Sequence, residues 1–421
     1  MKTRLVILAL ALVLPTAVLG SAQPLNTDII VGGIAADILR ISPTGKVTTV
    51  LTSVTPNARY INMLMMDNDN KNIVALDTLA LSSRASQVIR VDPVARSVTT
   101  VWSGAPLTPT GPSYIGVNQN GDYLIADGAN IFQLKPDGSS LTTFFTQAGA
   151  SFDAFTTDVA SGDWLFGSKA TTKTVYHVDR ITRTVVATGV LPTSPLAMGQ
   201  DPTQSNVYIA GVVPNGVLSY LPASRTMTTI HGGTRTNYPN AMAVDRSPGK
   251  GGALIYCGMT SSPDLVSLDR NGSIVSKIVN ISPARFLGIT FDQSRNLAPI
   301  RINAPNDRTI RISFPSDPLK SYVMAASYTG SQPGVTLPDG RVIALTPDLL
   351  TVLSVAGSVG AILTGNVGVL GTDGSALARY NGNLLPPILK GFRVWFVAVS
   401  LDPAAPSGIS QISRPLLIVQ D

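Results

Sequence analysis

The sequence predicts an all-β protein: a six-bladed β-propeller closed by a strand from the end of its repeat region, followed by a C-terminal β-sandwich. Three observations predict it. A hairpin motif occurs six times before residue 280. A strand–turn–strand unit precedes every hairpin except the first. Beyond residue 300 that rhythm stops and alternating, half-buried strands take over.

The hairpins are ILRISPTGKVTTV from Ile38, VIRVDPVARSVTTV from Val88, IFQLKPDGSSLTTF from Ile131, VYHVDRITRTVVAT from Val175, VLSYLPASRTMTTI from Val217 and LVSLDRNGSIVSKI from Leu265. Their starts lie 42 to 50 residues apart. A period in that range, filled with short strands, signals a propeller. The turns SPTG, KPDG and DRNG place an α-compatible residue second and Gly fourth, as type I turns prefer.

The preceding units occupy 61–77, 113–127, 154–168, 196–211 and 240–258. Each is an apolar strand, a turn rich in Asp, Asn and Gly, and another apolar strand. Nearly continuous apolar runs suit strands covered on both faces. Two such strands and a hairpin make one four-stranded blade. Before the first hairpin stands only TDIIVGG (27–33), one strand short. The missing innermost strand is found at the far end, in FLGITFDQSRNLA (286–298). The first blade is therefore expected to take its inner strand from Phe286–Phe291 and its other three from residues 27–51. Closure of this kind removes exposed sheet edges.

This rhythm, with turns such as VNQNGDYLIAD, resembles the six-bladed propellers of the NHL and SMP-30/gluconolactonase type and, more loosely, the streptogramin lyases. The resemblance covers about 24–298. It implies the fold more than the function, because one fold hosts binders and unrelated enzymes.

In the C-terminal part, RTIRISF, SYVMAASY, VIALTPDLLTVLS, SALARYN and FRVWFVAVSLDP alternate as strands of a two-sheet sandwich, with Trp395, Phe392 and Phe396 expected in its core. The stretches 334–350, 371–381 and 389–413 resemble a C-terminal domain recurrent in exported proteins of Planctomycetes-type bacteria. LPDG and GTDG in this part read as hairpin turns rather than metal loops.

The chain opens with MKTR, an apolar run and small residues at Gly20 and Ala22, the layout of a secretory signal peptide. The expected division is a signal peptide over 1–22, a propeller over 23–299 and a sandwich over 300–421. The mature chain would then carry no transmembrane segment and be exported to the periplasm, the cell surface or the medium. Cys257 is the single cysteine, so no intramolecular disulfide can form and the fold must be held by its core. The net charge of +6 comes from dispersed Lys and Arg, which argues against a nucleic-acid partner.

Aligned on the Asp or Asn after each inner strand (Asp67, Asn118, Asp158, Asp201, Asp245, Asp292), the blades contribute one residue each to a channel mouth: Asn62, Ser113, Asp153, Leu196, Asn240 and Leu287. Asp77 and Asp127, which end second strands, are expected at the same mouth. Asn62, Ser113, Asp153, Asn240, Asp77 and Asp127 form the candidate ligand-binding set. Resemblance to the gluconolactonases implies a divalent cation held by Glu, Asn and Asp side chains; here Asp153, Asn62 and Asn240 would be the ligands, with calcium, manganese or zinc as the metal. Oxygen donors suit a hard cation, but the ring has no Glu and one carboxylate. Resemblance to the streptogramin lyases would require a catalytic His, for which His231, after a fourth strand, is the weak candidate and His177 is set too far from the channel. Other catalytic motifs are missing, with neither a GxSxG elbow nor a phosphate loop. The leading expectation is a non-catalytic scaffold that binds a small molecule, a glycan or a protein at the channel face. The alternatives are a metal-dependent lactone hydrolase and a His231-dependent lyase.

Overall fold

The computed structural model describes residues 28–33, 37–42, 46–51, 61–78, 86–108, 112–118, 120–158, 161–201, 206–212, 216–232, 239–245, 254–259, 264–278, 286–291, 296–304, 306–331, 334–385 and 391–420. The expected signal peptide, residues 43–45 of the SPTG turn and Asp292 lie outside them. Among the described residues no helix is long and apolar enough to cross a membrane.

Six four-stranded antiparallel sheets occupy residues 29–291. Five run in simple chain order from an inner to an outer strand, beginning at Ile61–Met66, Pro112–Val117, Phe152–Thr157, Pro195–Gln200 and Pro239–Asp245. The sixth is assembled from both ends of the repeat region. Phe286–Phe291 pairs antiparallel with Ile29–Gly33, Ile29 opposite Phe291 and Val31 opposite Ile289, and Ile38–Ile41 and Val47–Leu51 complete it. Each inner strand packs against the next around a closed circle, and the strand from Pro239 meets the closing strand. This is the β-propeller.

Inner and second strands are buried along almost their whole length, while outer strands such as Val47–Leu51 and Val185–Val190 are largely exposed. That gradient explains the two sequence textures, near-continuous apolar runs inside and Thr-rich alternation outside. Blades join through apolar contacts. Ile29, Val31 and Ile289 of the first blade share a core with Ala241, Tyr256 and Leu265 of the sixth, and the rings of Tyr256 and Phe291 meet edge to face at 5.5 Å. Two of the short hairpin turns close as expected: the Gly138 amide donates to the Lys135 carbonyl (2.9 Å) and the Gly272 amide to the Asp269 carbonyl (3.0 Å).

The described residues of 297–420 form two larger sheets and a two-stranded one, Val335–Thr336 with Val342–Ile343. Of the larger two, one holds Leu297–Ala304, Asp307–Ser313, Ser375–Asn381 and Leu363–Thr364; the other holds Val367–Val369, Ser321–Ser327, Arg393–Leu401 and Ile409–Ile412, with Leu416–Val419 also paired to Arg393–Leu401. Ile310, Ile312 and Tyr380 from the first sheet and Met324, Phe396 and Ala398 from the second share one core.

Three expectations are corrected here. LLTVLSV, read as part of a strand, is a helix, Leu349–Val355. Asp348 caps it by accepting from the Thr351 amide (2.8 Å), and Thr351 Oγ1 accepts from the Asp348 amide (3.3 Å), a reciprocal capping box. The sandwich is expected to start at residue 300, but Leu297–Ala304 is one strand that pairs with Asp307–Ser313, so the second unit's sheet begins before that residue. Trp395 is not in the core with Phe396. Adjacent strand residues face opposite ways, and Trp395 packs instead in a small cluster with Leu345 and Val397.

Candidate functional site

The channel has two ends of different construction. The first is the predicted mouth at the start of the inner strands. In every blade the ladder between first and second strand slips at that level: Pro112 and Tyr114 oppose Asp127 and Ala126, and Phe152 and Ala154 oppose Ser168 and Gly167. The skipped residues are Asn62, Ser113, Asp153, Leu196, Asn240 and, in the closing strand, Leu287. The predicted ring is therefore a ring of β-bulges. A bulged residue leaves the ladder, and its side chain is re-aimed.

The aim is toward the neighbouring blade. Asn62 Nδ2 donates to the Pro112 carbonyl (2.9 Å), and Ser113 Oγ donates to the Phe152 carbonyl (2.8 Å). Each bond crosses from one inner strand to the first residue of the next. Asp153 cannot donate. It is 6% exposed, and Oδ1 accepts from Lys169 Nζ at 2.8 Å. Asn240, half-buried at the bulge of the last blade, is also partnered. Asp127 accepts from the amide (2.7 Å) and hydroxyl (2.8 Å) of Thr108 and so pins the chain entering its blade. Asp77 is buried and partnered at the matching place one blade earlier.

Burial pushes the Asp153 carboxyl above its usual value, against the pull of Lys169 and Ser113. A raised folded value means that the folded state holds the proton more tightly. The group then adds stability below the ordinary aspartate value, near about 4, and loses it as pH rises through the folded value. Asp153→Asn is therefore expected to melt no lower than wild type at pH 7, with any gain gone once the pH falls below the ordinary aspartate value. Thermal melts at the two pH values check this; a variant that is less stable at pH 7 would mean that the Lys169 pair outweighs the burial cost.

His231 is the last residue of the outermost strand Thr226–His231 rather than a loop residue, and its Nδ1 donates to the Gly272 carbonyl of the next blade (3.1 Å). Three strand spacings, roughly 14 Å, separate it from the inner strand of its own blade. His177, on a third strand, meets the Tyr220 hydroxyl through Nε2, and burial pulls its value down. The metal donor set fits poorly: the single ring carboxylate is committed to an ammonium, which a dication would have to displace. Among the described residues no three His, Cys, Asp or Glu side chains converge as metal ligands.

The second end, where the inner strands finish, carried no expectation. The 297–420 unit docks there. Lys71 Nζ, in the turn after the first inner strand of the second blade, bonds Asp373 Oδ2 of the GTDG turn (2.9 Å). Gly121 lies so near the Pro299 carbonyl that a Cβ would come within 2.4 Å of its oxygen, and Gly162 approaches Leu417 as closely as 2.6 Å in the same sense. The Arg414 guanidinium stands 5.5 Å from the centre of the Phe291 ring. The segment Arg414–Leu417, together with Trp395, thus roofs the channel, leaving a cavity of about 290 Å³ beneath it. No repeat or motif announces this end. Its sequence signal is limited to glycines in two blade turns, needed there for close approach and a positive φ.

The fold and channel define the class of protein: an all-β propeller with one end of its channel covered by a second β unit. Among solved structures the chain is similar to a chain of a nidogen/laminin complex at 17% identity and a TM-score of 0.52, over 63% of this chain and 98% of that one. It is also similar to TolB from Acinetobacter baumannii (10% identity, TM-score 0.48, 63% and 66% covered) and to the calcium-binding protein regucalcin from Agrobacterium tumefaciens (12%, 0.43, 60% and 81%). Likeness at these identities is one of fold. No protein-family model and no curated protein matches the chain.

Proposed function

We propose that this is an exported propeller protein that works as a non-catalytic binding scaffold, its C-terminal unit being a β-sandwich that covers one end of the channel. The observation that carries the reading is the employment of the ring. Asn62 and Ser113 hold the next blade's backbone, Asp153 holds Lys169, and Asp127 holds Thr108. Side chains engaged in holding blades together are poor candidates for moving protons or binding a Lewis acid, because either role would cost the ring its bonds. The resemblance of the repeats to the NHL and SMP-30 type supports a recognition role at the channel face, with a small molecule, a glycan or a protein as the partner. The signal-peptide layout of the N-terminus supports export to the periplasm, the cell surface or the medium.

The test is calorimetric titration of the purified mature protein with calcium, manganese and zinc, repeated on Asp153→Ala. No saturable heat is expected from any of the three. Saturable binding that disappears in Asp153→Ala would overturn the scaffold reading in favour of a metal-dependent hydrolase and direct a screen of lactones and phosphoesters.

A further inference from the structure

The covered end of the channel holds features that the blade architecture does not require. Gln200, the last residue of the inner strand Pro195–Gln200, is 2% exposed, and its Nε2 has no hydrogen-bond partner among the described residues. Trp395, contributed by the second unit, is 5% exposed, and its Nε1 is likewise unpartnered. Both residues line the same cavity of about 290 Å³. An unpartnered buried donor costs about 1–3 kcal/mol. Two of them on one cavity, from two different units, are economically explained by a shared acceptor.

The rest of the wall specifies that acceptor. Met63, Met198, Met242 and Phe155 from four inner strands and Leu417 from the roof supply apolar surface. Methionines adapt to ligands of irregular shape. Two guanidinium groups border the cavity, Arg180 stacked on Trp164 and Arg414 stacked on Phe291, each 5.5 Å from the ring centre. One carboxylate, Asp158, stands against them, which leaves the wall net positive. A cavity of about 150 Å³ holds a benzene ring, so this one takes about a dozen non-hydrogen atoms. Pockets between units are a common place for such ligands.

We propose that the roofed end of the channel binds a small monocarboxylic acid with an apolar body, its carboxylate accepting from Gln200 Nε2 and Trp395 Nε1 in the field of Arg180 and Arg414. This site is distinct from the ring of bulges at the opposite mouth and does not depend on the scaffold reading.

The test is calorimetry of the full mature chain with octanoate and 3-phenylpropionate, and with octanol and 3-phenylpropanol as uncharged counterparts. The acids are expected to bind at one site per chain, and the alcohols at least about tenfold more weakly. Trp395→Phe and Gln200→Met, which each delete one donor and keep the bulk, are each expected to weaken acid binding by about tenfold. Gln200→Met removes a donor that was already unpartnered, so its melting temperature should be no lower than wild type; lost binding in that variant is then not lost folding. Asp153→Ala should bind the acids as wild type does, which separates this site from the open mouth. Absence of saturable heat with both acids, or equal binding by wild type and both donor variants, would overturn the proposal and leave the cavity to water.

Discussion

Gly288→Val is expected to destabilise the propeller by about 3 kcal/mol, at the upper end for an overpacking substitution. Gly288 sits in the closing strand, where its neighbour is the backbone of the next inner strand. A Cβ there would lie 2.8 Å from the Leu64 nitrogen and 3.0 Å from the Met63 Cα. Side chains can rotate away from an intruding methyl, but strand backbone cannot. Relief requires the two inner strands to separate. The strand that carries Gly288 is also the one that closes the ring by hydrogen bonds instead of chain continuity, since on its other side Phe286–Phe291 pairs with Ile29–Gly33 across almost the whole repeat region. Strain at the seam therefore acts on every blade, and the melt should shift as a whole. Gly232→Ala is the control. A Cβ at Gly232 meets nothing within 4 Å, so a change within about 0.5 kcal/mol is expected. An unchanged denaturant midpoint for Gly288→Val would show that the closing strand is not what holds the ring.

The second large effect is expected where the second blade is stapled to the third. Asp67, 3% exposed at the end of its inner strand, accepts from Arg90 Nε (2.6 Å) and from the Tyr123 hydroxyl (2.5 Å). Arg90 Nη2 also donates to the Tyr123 oxygen and the Pro136 carbonyl, both at 2.9 Å. Tyr123 and Pro136 belong to the third blade, Asp67 and Arg90 to the second. Burial, with Asp67 alongside, pushes the Tyr123 phenol up, so it stays a donor throughout the accessible pH range. Arg90→Met leaves a buried carboxylate without its cation. Breaking such a pair costs about 3–5 kcal/mol when both partners are fully buried. Arg90 is partly open to solvent, so the loss should fall near the lower end, about 3 kcal/mol. Asp67→Asn combined with Arg90→Met should cost less than the two single changes added together, because once residue 67 is neutral the loss of Arg90 no longer leaves a buried carboxylate unpaired. Urea unfolding of the four proteins checks this. Strict additivity would mean that the two groups do not act as a pair.

Much of this architecture was legible along the chain. Period and turn chemistry mark the blades, because each blade repeats the same burial gradient from channel to solvent. The orphan strand at Ile29–Gly33 and its distant complement at Phe286–Phe291 can be matched because a four-stranded blade tolerates no missing member. The helix at Leu349–Val355 was not legible by alternation alone: seven residues of mixed Leu, Val, Thr and Ser satisfy both periods, and Asp348 with Thr351, the pair that decides, is a signal of capping rather than of pattern. The equivalence of the ring positions was legible, but the bulge at each of them was not. Alignment of the blades selected Asn62, Ser113, Asp153 and Asn240 correctly as equivalents, yet equivalence does not reveal a bulge. One extra residue in a ladder is set by the register of the partner strand, and it is the bulge that turns these side chains toward the neighbouring blade.

By itself, then, the sequence determined what is periodic and local: an all-β chain, the repeat, the turns, the strand that closes the ring. Tertiary structure decided what depends on groups far apart in the chain: Lys169 as the partner of Asp153, the Asp67–Arg90–Tyr123 staple, and the roof that Trp395 and Arg414–Leu417 place over the channel some 100 to 350 residues from the inner strands they face. The reason is physical. Periodicity records which face of an element is buried, whereas partners across blades and units are chosen by packing in three dimensions, for which neighbouring residues carry no signature.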